Sequence, residues 1–368
     1  MNNKRLLIIF IVLLALVPVA AFGDRFPSAG AVYAMSNHPE GNSVIVYDRD
    51  FRGRLTLANS YETAGLGSGG GIDPLASQNA LILSPNHRWL IAVNAGSDDI
   101  TVFRVRRHGL KWVGNFDSEG AFPVSLALSH NLLYVLNAGR DGTDASITGF
   151  RLNRHGELTP LPESTRMLGQ GGFHQVGFHP RGDALVVTQG APDGENAILV
   201  FGINEDGLPD AAPTVSASAG IVPFGFIFDW RGHLLVSEAG SGAVSSYEIL
   251  DDNTLNVINA SVPNGNTATC WIAGTWFGGV FTANTGSDNI SSYAANAGDG
   301  RLRLLQADAA WGNKPIDMAT TASGLYLYVL NAGDGTIGAF RILPQGVLKD
   351  LGTTGGLPPQ FAQGIAVR

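Results

Sequence analysis

The sequence predicts an all-β chain, a seven-bladed β-propeller of four-stranded antiparallel blades, and three observations lead there. First, one unit recurs. LLYVLNAG from Leu132, a polar turn, then Ile147-x-x-Phe150 reads as two strands joined by a tight loop. WLIAVNAG from Trp89 with Ile100-x-x-Phe103, and YLYVLNAG from Tyr326 with Ile337-x-x-Phe340, repeat it closely. Looser copies start at Val32, Ala184, Leu234 and Val280, which makes seven. Second, an apolar run precedes each doublet except the first, and the missing run appears at the C-terminus as Gly364-Ile365-Ala366-Val367. Third, a glycine follows most doublets at the next turn: Gly53, Gly109, Gly156, Gly207, Gly300 and Gly346, with Asn253 in the remaining copy.

Each unit is therefore four strands, named A to D from the axis outward. Four-stranded units repeating every 40–50 residues or so are the signature of propeller blades. The C-terminus supplies strand A to a blade whose B, C and D come from the N-terminal end, which closes the ring and hides sheet edges. Expected A strands are Ala80–Ser84, Ser125–Ser129, Gln175–Phe178, Gly225–Phe228, Trp271–Ala273 and Asp317–Thr320. Repetition overrides the two-domain prior that 368 residues would carry. One segment exceeds the repeat, Ala64–Asn79 (AGLGSGGGIDPLASQN). It lacks the Gly-Lys-Ser/Thr of a phosphate loop, so a flexible loop over one face is the expectation.

The first residues read as an export signal occupying 1–23, ahead of a single propeller domain at 24–368. Lys4 and Arg5 precede the apolar run Leu6–Val17, Pro18 breaks it, and Ala21-Phe22-Gly23 offers small residues at −3 and −1. The run is short for a membrane span, so cleavage before Asp24 and a secreted or periplasmic mature chain are expected. Cys270 is the one cysteine, so no internal disulfide forms. Loss of Lys4 and Arg5 takes the formal charge from −8 to −10. That acidity predicts neither nucleic acid nor, after cleavage, membrane as a partner, and a monomer with a small-molecule ligand or substrate.

In a repeat protein, a residue that serves a ligand breaks the pattern. At the end of strand B stand Asn37, Asn94, Asn137, Gln189, Glu238, Asn284 and Asn331, with Glu238 the one carboxylate. Asparagine there implies scaffold, since it tolerates left-handed turns and bonds nearby backbone. At the start of strand A stand Ala362, Asn79, Val124, His174, Phe224, Cys270 and Ile316, with His174 the one group titrating near neutrality. Antiparallel strands put the start of A and the end of B on one face. His174 and Glu238, in adjacent blades, are thus the candidate general base and its orienting carboxylate, provided both reach one open pocket. The competing account makes His174 a loop anchor and Glu238 a substitute cap. Asn79, Gln189, Phe224, Trp311 and Asp317 are candidate ligand contacts on that face, with Lys314 and Trp271 nearby. No cofactor motif is present. His174 and His179 are five apart and face opposite ways on a strand, so no metal site is expected, and the acids of Arg140–Asp144 read as solvated turn residues. No serine-hydrolase elbow, Cys-x-x-Cys or His-Glu-x-x-His occurs. Cys270 reads as a buried packing residue.

With these motifs together, the chain resembles the lactonase family of seven-bladed propellers, which contains 6-phosphogluconolactonase and the fungal carboxymuconate-lactonizing enzyme. The YVLNAG units, FHPRGDALVV (Phe178–Val187) and LLVSEAG (Leu234–Gly240) carry the resemblance over essentially the whole chain after residue 30 or so. It implies a lactone-directed site of histidine, glutamate and arginine at the axial mouth, with His174 and Glu238 in the first two roles. The arginines are absent: Pro223-Phe224-Gly225 stands where relatives read Pro-Arg-His, and Asn284-Thr285-Gly286 where they read Asn-Arg-Gly. A buried anion without such partners costs several kcal/mol. The expectation is an exported lactonase-like hydrolase for a lactone of low charge, not a phosphorylated or carboxylated one. The alternative is a non-catalytic propeller that binds a small molecule, glycan or protein by one face.

Overall fold

The computed structural model describes residues 29–368; the expected signal at 1–23 lies outside them. Seven antiparallel sheets form the ring. Six are consecutive four-stranded blades, and in the third the outermost strand is split into Leu158–Pro160 and Arg166–Gly169. The seventh sheet joins the chain ends: Ile365–Val367 pairs with Gly30–Met35, setting Val32 opposite Val367 and Ala34 opposite Ile365. A strands of neighbouring blades touch one another all round the ring, and Ile365–Val367 sits between the A strands of blades seven and two.

The repeated motif explains this packing. The Ile/Val-x-x-Phe/Tyr pairs of the C strands are buried, from Val44 and Tyr47 in blade one to Ile337 and Phe340 in blade seven. Period-two spacing would place two residues three apart on opposite faces of a strand, so each pair packs against both neighbouring blades. The turn from C to D requires a left-handed residue. Gly53 has φ +83°, and a Cβ there would collide with the Tyr326 ring of blade seven. Asn253 takes the same role at φ +64°.

Strand direction gives the ring two faces. The upper carries the starts of A strands, the B–C turns and the D-to-A connections; the lower carries the A–B and C–D turns. At the top of strand A the ladder bulges in blades three to seven, around Val124, His174, Phe224–Gly225, Cys270 and Asp317. A bulge re-aims the extra side chain, here at the rim of the axis.

Ring closure by three residues is a testable constraint. Removing residues 365–368 strips buried Ile365 and Ala366 from the blade-one sheet and leaves Gly30–Met35 as a bare edge. The expected result is a fall in the thermal midpoint on the order of 10 °C. An unchanged melting curve would show that the ring does not depend on this strand.

Candidate functional site

The Ala64–Asn79 segment is not the flexible surface loop that its glycines suggest. Leu75, Ser77 and Gln78 are buried, and the segment stoppers the upper end of the axis. The backbone amide of Gln78 donates to the His174 carbonyl in blade four (3.1 Å), and its carbonyl accepts from Ser125 Oγ in blade three (2.7 Å). Its carboxamide pairs with both backbone groups of Ile272 in blade six (3.0 and 2.9 Å). One glutamine therefore ties three blades across the hole. The Ser77 carbonyl accepts from Trp271 Nε1 and Gln363 Nε2, each at 2.8 Å, and the Leu75 amide donates to Gln363 Oε1 at 2.9 Å. Irregular backbone tolerates burial only when its polar groups find such partners.

His174 is one of the anchors of this plug. Its Nδ1 lies 2.7 Å from the Ala76 carbonyl and its Nε2 2.9 Å from the Gly190 carbonyl. The ring stacks on Phe224 at 4.4 Å, and Phe224 meets Trp271 edge-on at 5.1 Å. Burial lowers the His174 pKa, and the two carbonyls pull it back up. A neutral imidazole carries one ring proton, so only one of the two contacts is a hydrogen bond at a time.

Glu238 occupies a separate cluster within blade five. Its carboxylate accepts from Ser245 Oγ (2.6 Å), from Ser261 Oγ and, at 3.4 Å, from Ser218 Oγ, with the Gly220 amide beside it. Burial raises its pKa and these donors lower it again. The asparagines at the same position show where this comes from. Asn94 donates to Thr101 (2.8 Å) and Asn284 to Ser291 (2.7 Å), in each case seven residues on, as Ser245 is from Glu238. Among these asparagines only Asn37 has a positive φ, so strand-to-strand bonding, not a left-handed turn, is why the amide recurs. His174 and Glu238 share the upper face but no hydrogen-bond partner.

The candidate ligand contacts separate by distance from the axis. Phe224 and Asp317 lie at the axis, both buried. Asn79, at φ +69°, ends the plug, and its carbonyl accepts from Leu126. Gln189 closes strand B of blade four with its carboxamide beside Gly171. Trp311 differs from expectation: it is the last residue of the outermost strand Leu302–Trp311, 68% exposed, opposite Asn289 and away from the axis. Lys314 forms an ion pair with Asp288 at 3.0 Å. Cys270 is buried, and burial pushes its thiol pKa up, which suits packing rather than attack.

Sequence reasoning missed Asp73 and its partner Gln363. Gln363 Nε2 holds Asp73 Oδ1 at 3.0 Å, while the adjoining amides of Gly364 and Ile365 flank the Asp317 carboxyl. Two carboxyls thus meet the same short segment at the ring closure. Asp73 is half-buried, and burial pushes its pKa up to about 7. Asp317 is likewise raised to about 7, first by burial and further by the charge of Asp73, and its Oδ2 has no hydrogen-bond partner. An excess of chain length between two repeats, carrying Asp73, Leu75 and Gln78, was the available signal.

A family model described as Lactonase, 7-bladed beta-propeller matches residues 39–173 and 169–359. The chain belongs to this lactonase family. It is 23% identical over 300 residues to a 6-phosphogluconolactonase of Formosa agariphila, covering 73% of this chain and 82% of that protein. The periplasmic gluconolactonase of Pseudomonas aeruginosa has the same fold, with a TM-score of 0.73, 17% identity, and coverage of 92% of this chain and 98% of its own. A putative 6-phosphogluconolactonase of Bacteroides fragilis gives 0.68 and 16%, with 92% and 98% coverage. Within this lactonase propeller, the axial mouth is filled by the chain's own plug.

Two predictions follow from the buried acids. The folded chain keeps the Asp73 and Asp317 protons up to about pH 7, whereas an ordinary carboxyl releases its proton near 3.8. Stability therefore declines as pH rises between those values and levels off above them. Asp73→Asn and Asp317→Asn remove that penalty: each raises the melting temperature at pH 8 by about 2–4 °C or more and changes little at pH 4. Equal shifts at both pH values would contradict the assignment. Glu238→Ala leaves three serine hydroxyls facing a void and destabilises by about 2–4 kcal/mol in denaturant titration, with Glu238→Gln costing less.

Proposed function

We propose that this chain is an exported hydrolase that opens a small uncharged lactone, of the gluconolactone type, at the axial mouth. The observation that carries this reading is the charge of the upper face. Its B–C turns present Asp98, Asp141, Asp193, Asp288 and Asp334. Among the described residues, only Arg140, Arg166 and Lys314 supply cationic side chains to that half of the ring. At the axis Phe224, at the position where the family resemblance implies an arginine, is stacked on His174. A phosphate or carboxylate arriving there meets repulsion and no bidentate partner. An uncharged polyol lactone needs neither, and aromatic and amide groups suit it.

In this reading the plug is displaced from His174 when substrate enters, which frees Nδ1 from the Ala76 carbonyl. His174 then takes a proton from water as the water oxygen adds to the lactone carbonyl. The ring C–O bond breaks, the departing oxygen is protonated, and a hydroxy acid leaves. Glu238, held by its serines, acts as a positioning residue for blade five rather than on the water. Export rests on the 1–23 segment, and the gluconolactonase of Pseudomonas aeruginosa with this fold is periplasmic.

A second reading, a non-catalytic propeller that binds by one face, is favoured by one specific observation. Both His174 nitrogens already face carbonyls, and Phe224 covers the ring. A pH-stat assay of glucono-1,5-lactone and its 6-phosphate, corrected for spontaneous opening, separates the two. The expected outcome is turnover of the uncharged lactone only, reduced about 10²–10⁴-fold in His174→Ala. Equal rates in wild type and His174→Ala would remove the catalytic role, and background rates throughout would favour the binding propeller.

A further inference from the structure

The acidic net charge of the chain conceals a segregation. Among the described residues, every arginine and lysine other than Arg140, Arg166 and Lys314 lies in the lower half of the ring. The lower turns of blades one to three carry Arg52, Arg54, Arg88, Arg106, Arg107 and Arg154, all exposed. Opposing them in those blades' lower halves are Asp48, Asp50 and Glu157. Two of these cations, Arg88 and Arg154, border an open recess of about 760 Å³ with Trp89, His130 and His179. That recess faces away from His174 and Glu238.

Large apolar side chains project from the same face. Phe51 (71% exposed) shares the blade-one turn with Arg52 and Arg54. Trp230 (60%) and Trp276 (66%) top the A–B turns of blades five and six. Arg231 lies over the Trp230 ring at 4.5 Å, and Phe277 meets Trp276 edge-on at 5.4 Å. Trp230 and Trp276 border one recess with Ile227 and Phe228, and a contiguous exposed apolar patch of this kind marks a contact surface. Tryptophan beside arginine suits the boundary between headgroups and acyl chains, where an amphipathic ring is half wet and half dry. The chain enters the ring on this face too, at Gly30.

We propose that the lower face docks on an anionic lipid bilayer, with blades one to three supplying cations and the turns of blades five, six and one inserting aromatics. The upper mouth then points away from the membrane into solution. Among the described residues no helix is long and apolar enough to cross a bilayer. The basic sector alone would fit any polyanion; the aromatic tips select a surface with an apolar interior.

The test is co-sedimentation of the chain from Asp24 onward, which contains every strand of the ring, with phosphatidylglycerol/phosphatidylcholine vesicles. Pure phosphatidylcholine vesicles and a soluble heparin column serve as comparisons. The expected result is salt-sensitive binding to the anionic vesicles with a blue shift of tryptophan emission. Arg106→Gln/Arg107→Gln/Arg154→Gln weakens it on the order of 100-fold, at roughly fivefold per arginine. Trp230→Ser/Trp276→Ser removes the emission shift and most of the binding, and upper-face Arg140→Gln leaves it unchanged. Absence of vesicle binding overturns the proposal. So does heparin binding of equal strength with the tryptophan variant still sedimenting, which would identify a soluble polyanion as the partner.

Discussion

A ring of blades leaves its innermost strands facing a hole, and how that hole is filled governs the rest of this molecule. Here Gln78 fills it, bonding blades three, four and six at once. A backbone segment crossing a buried axis must have each amide and carbonyl satisfied, and the glutamine does this with donors and acceptors at both ends of its reach. His174, Trp271 and Gln363 are then committed to holding the plug. The bulge at the top of the blade-four A strand aims His174 inward. Fold closure and site closure are thus a single device, because Gln363 lies immediately ahead of the strand that completes blade one.

The same economy leaves two carboxyls where charge is hard to tolerate. Asp73 comes from the plug and Asp317 from a bulge with φ +38°, and the residues Gln363–Ile365 serve both. Burial keeps them largely protonated below neutrality, so plug and ring meet there with little charge between them. That stored conflict makes the ring closure sensitive to pH. It is joined to His174 through the plug, where Asp73 meets the Ala76 backbone amide and His174 meets the Ala76 carbonyl.

Charge distribution decides what the two faces can meet. Aspartates in the B–C turns make the mouth acid-lined, whereas arginines in the A–B and C–D turns make the opposite face basic in blades one to three; in blades four to six those turns also carry Glu205, Asp206, Asp251, Asp252 and Asp299. The repeat makes this outcome directional: every blade presents the same kind of turn to the same side, so turn composition sets the charge of each face sector by sector. A net charge of −8 describes neither face.

The sequence by itself determined the blade count, the strand order and the shared first blade. These follow from local periodicity and from one strand missing at the start and present at the end, and both are legible in one dimension. It also marked His174 and Glu238 as exceptions, since seven copies make their own alignment. Only the tertiary structure decided what those exceptions touch. Glu238 turned out to fill the same hydrogen-bonding position as its sister asparagines, answered by Ser218, Ser245 and Ser261 from three separate stretches of chain. Trp311 moved to the outer edge because the D strand runs longer than its pattern suggested. The plug was hidden for a related reason: glycine-rich composition reports backbone freedom, whereas the partners that remove that freedom lie up to 290 residues away, as between Asp73 and Gln363. Long-range hydrogen bonds leave no periodic trace, so only the closed ring discloses them.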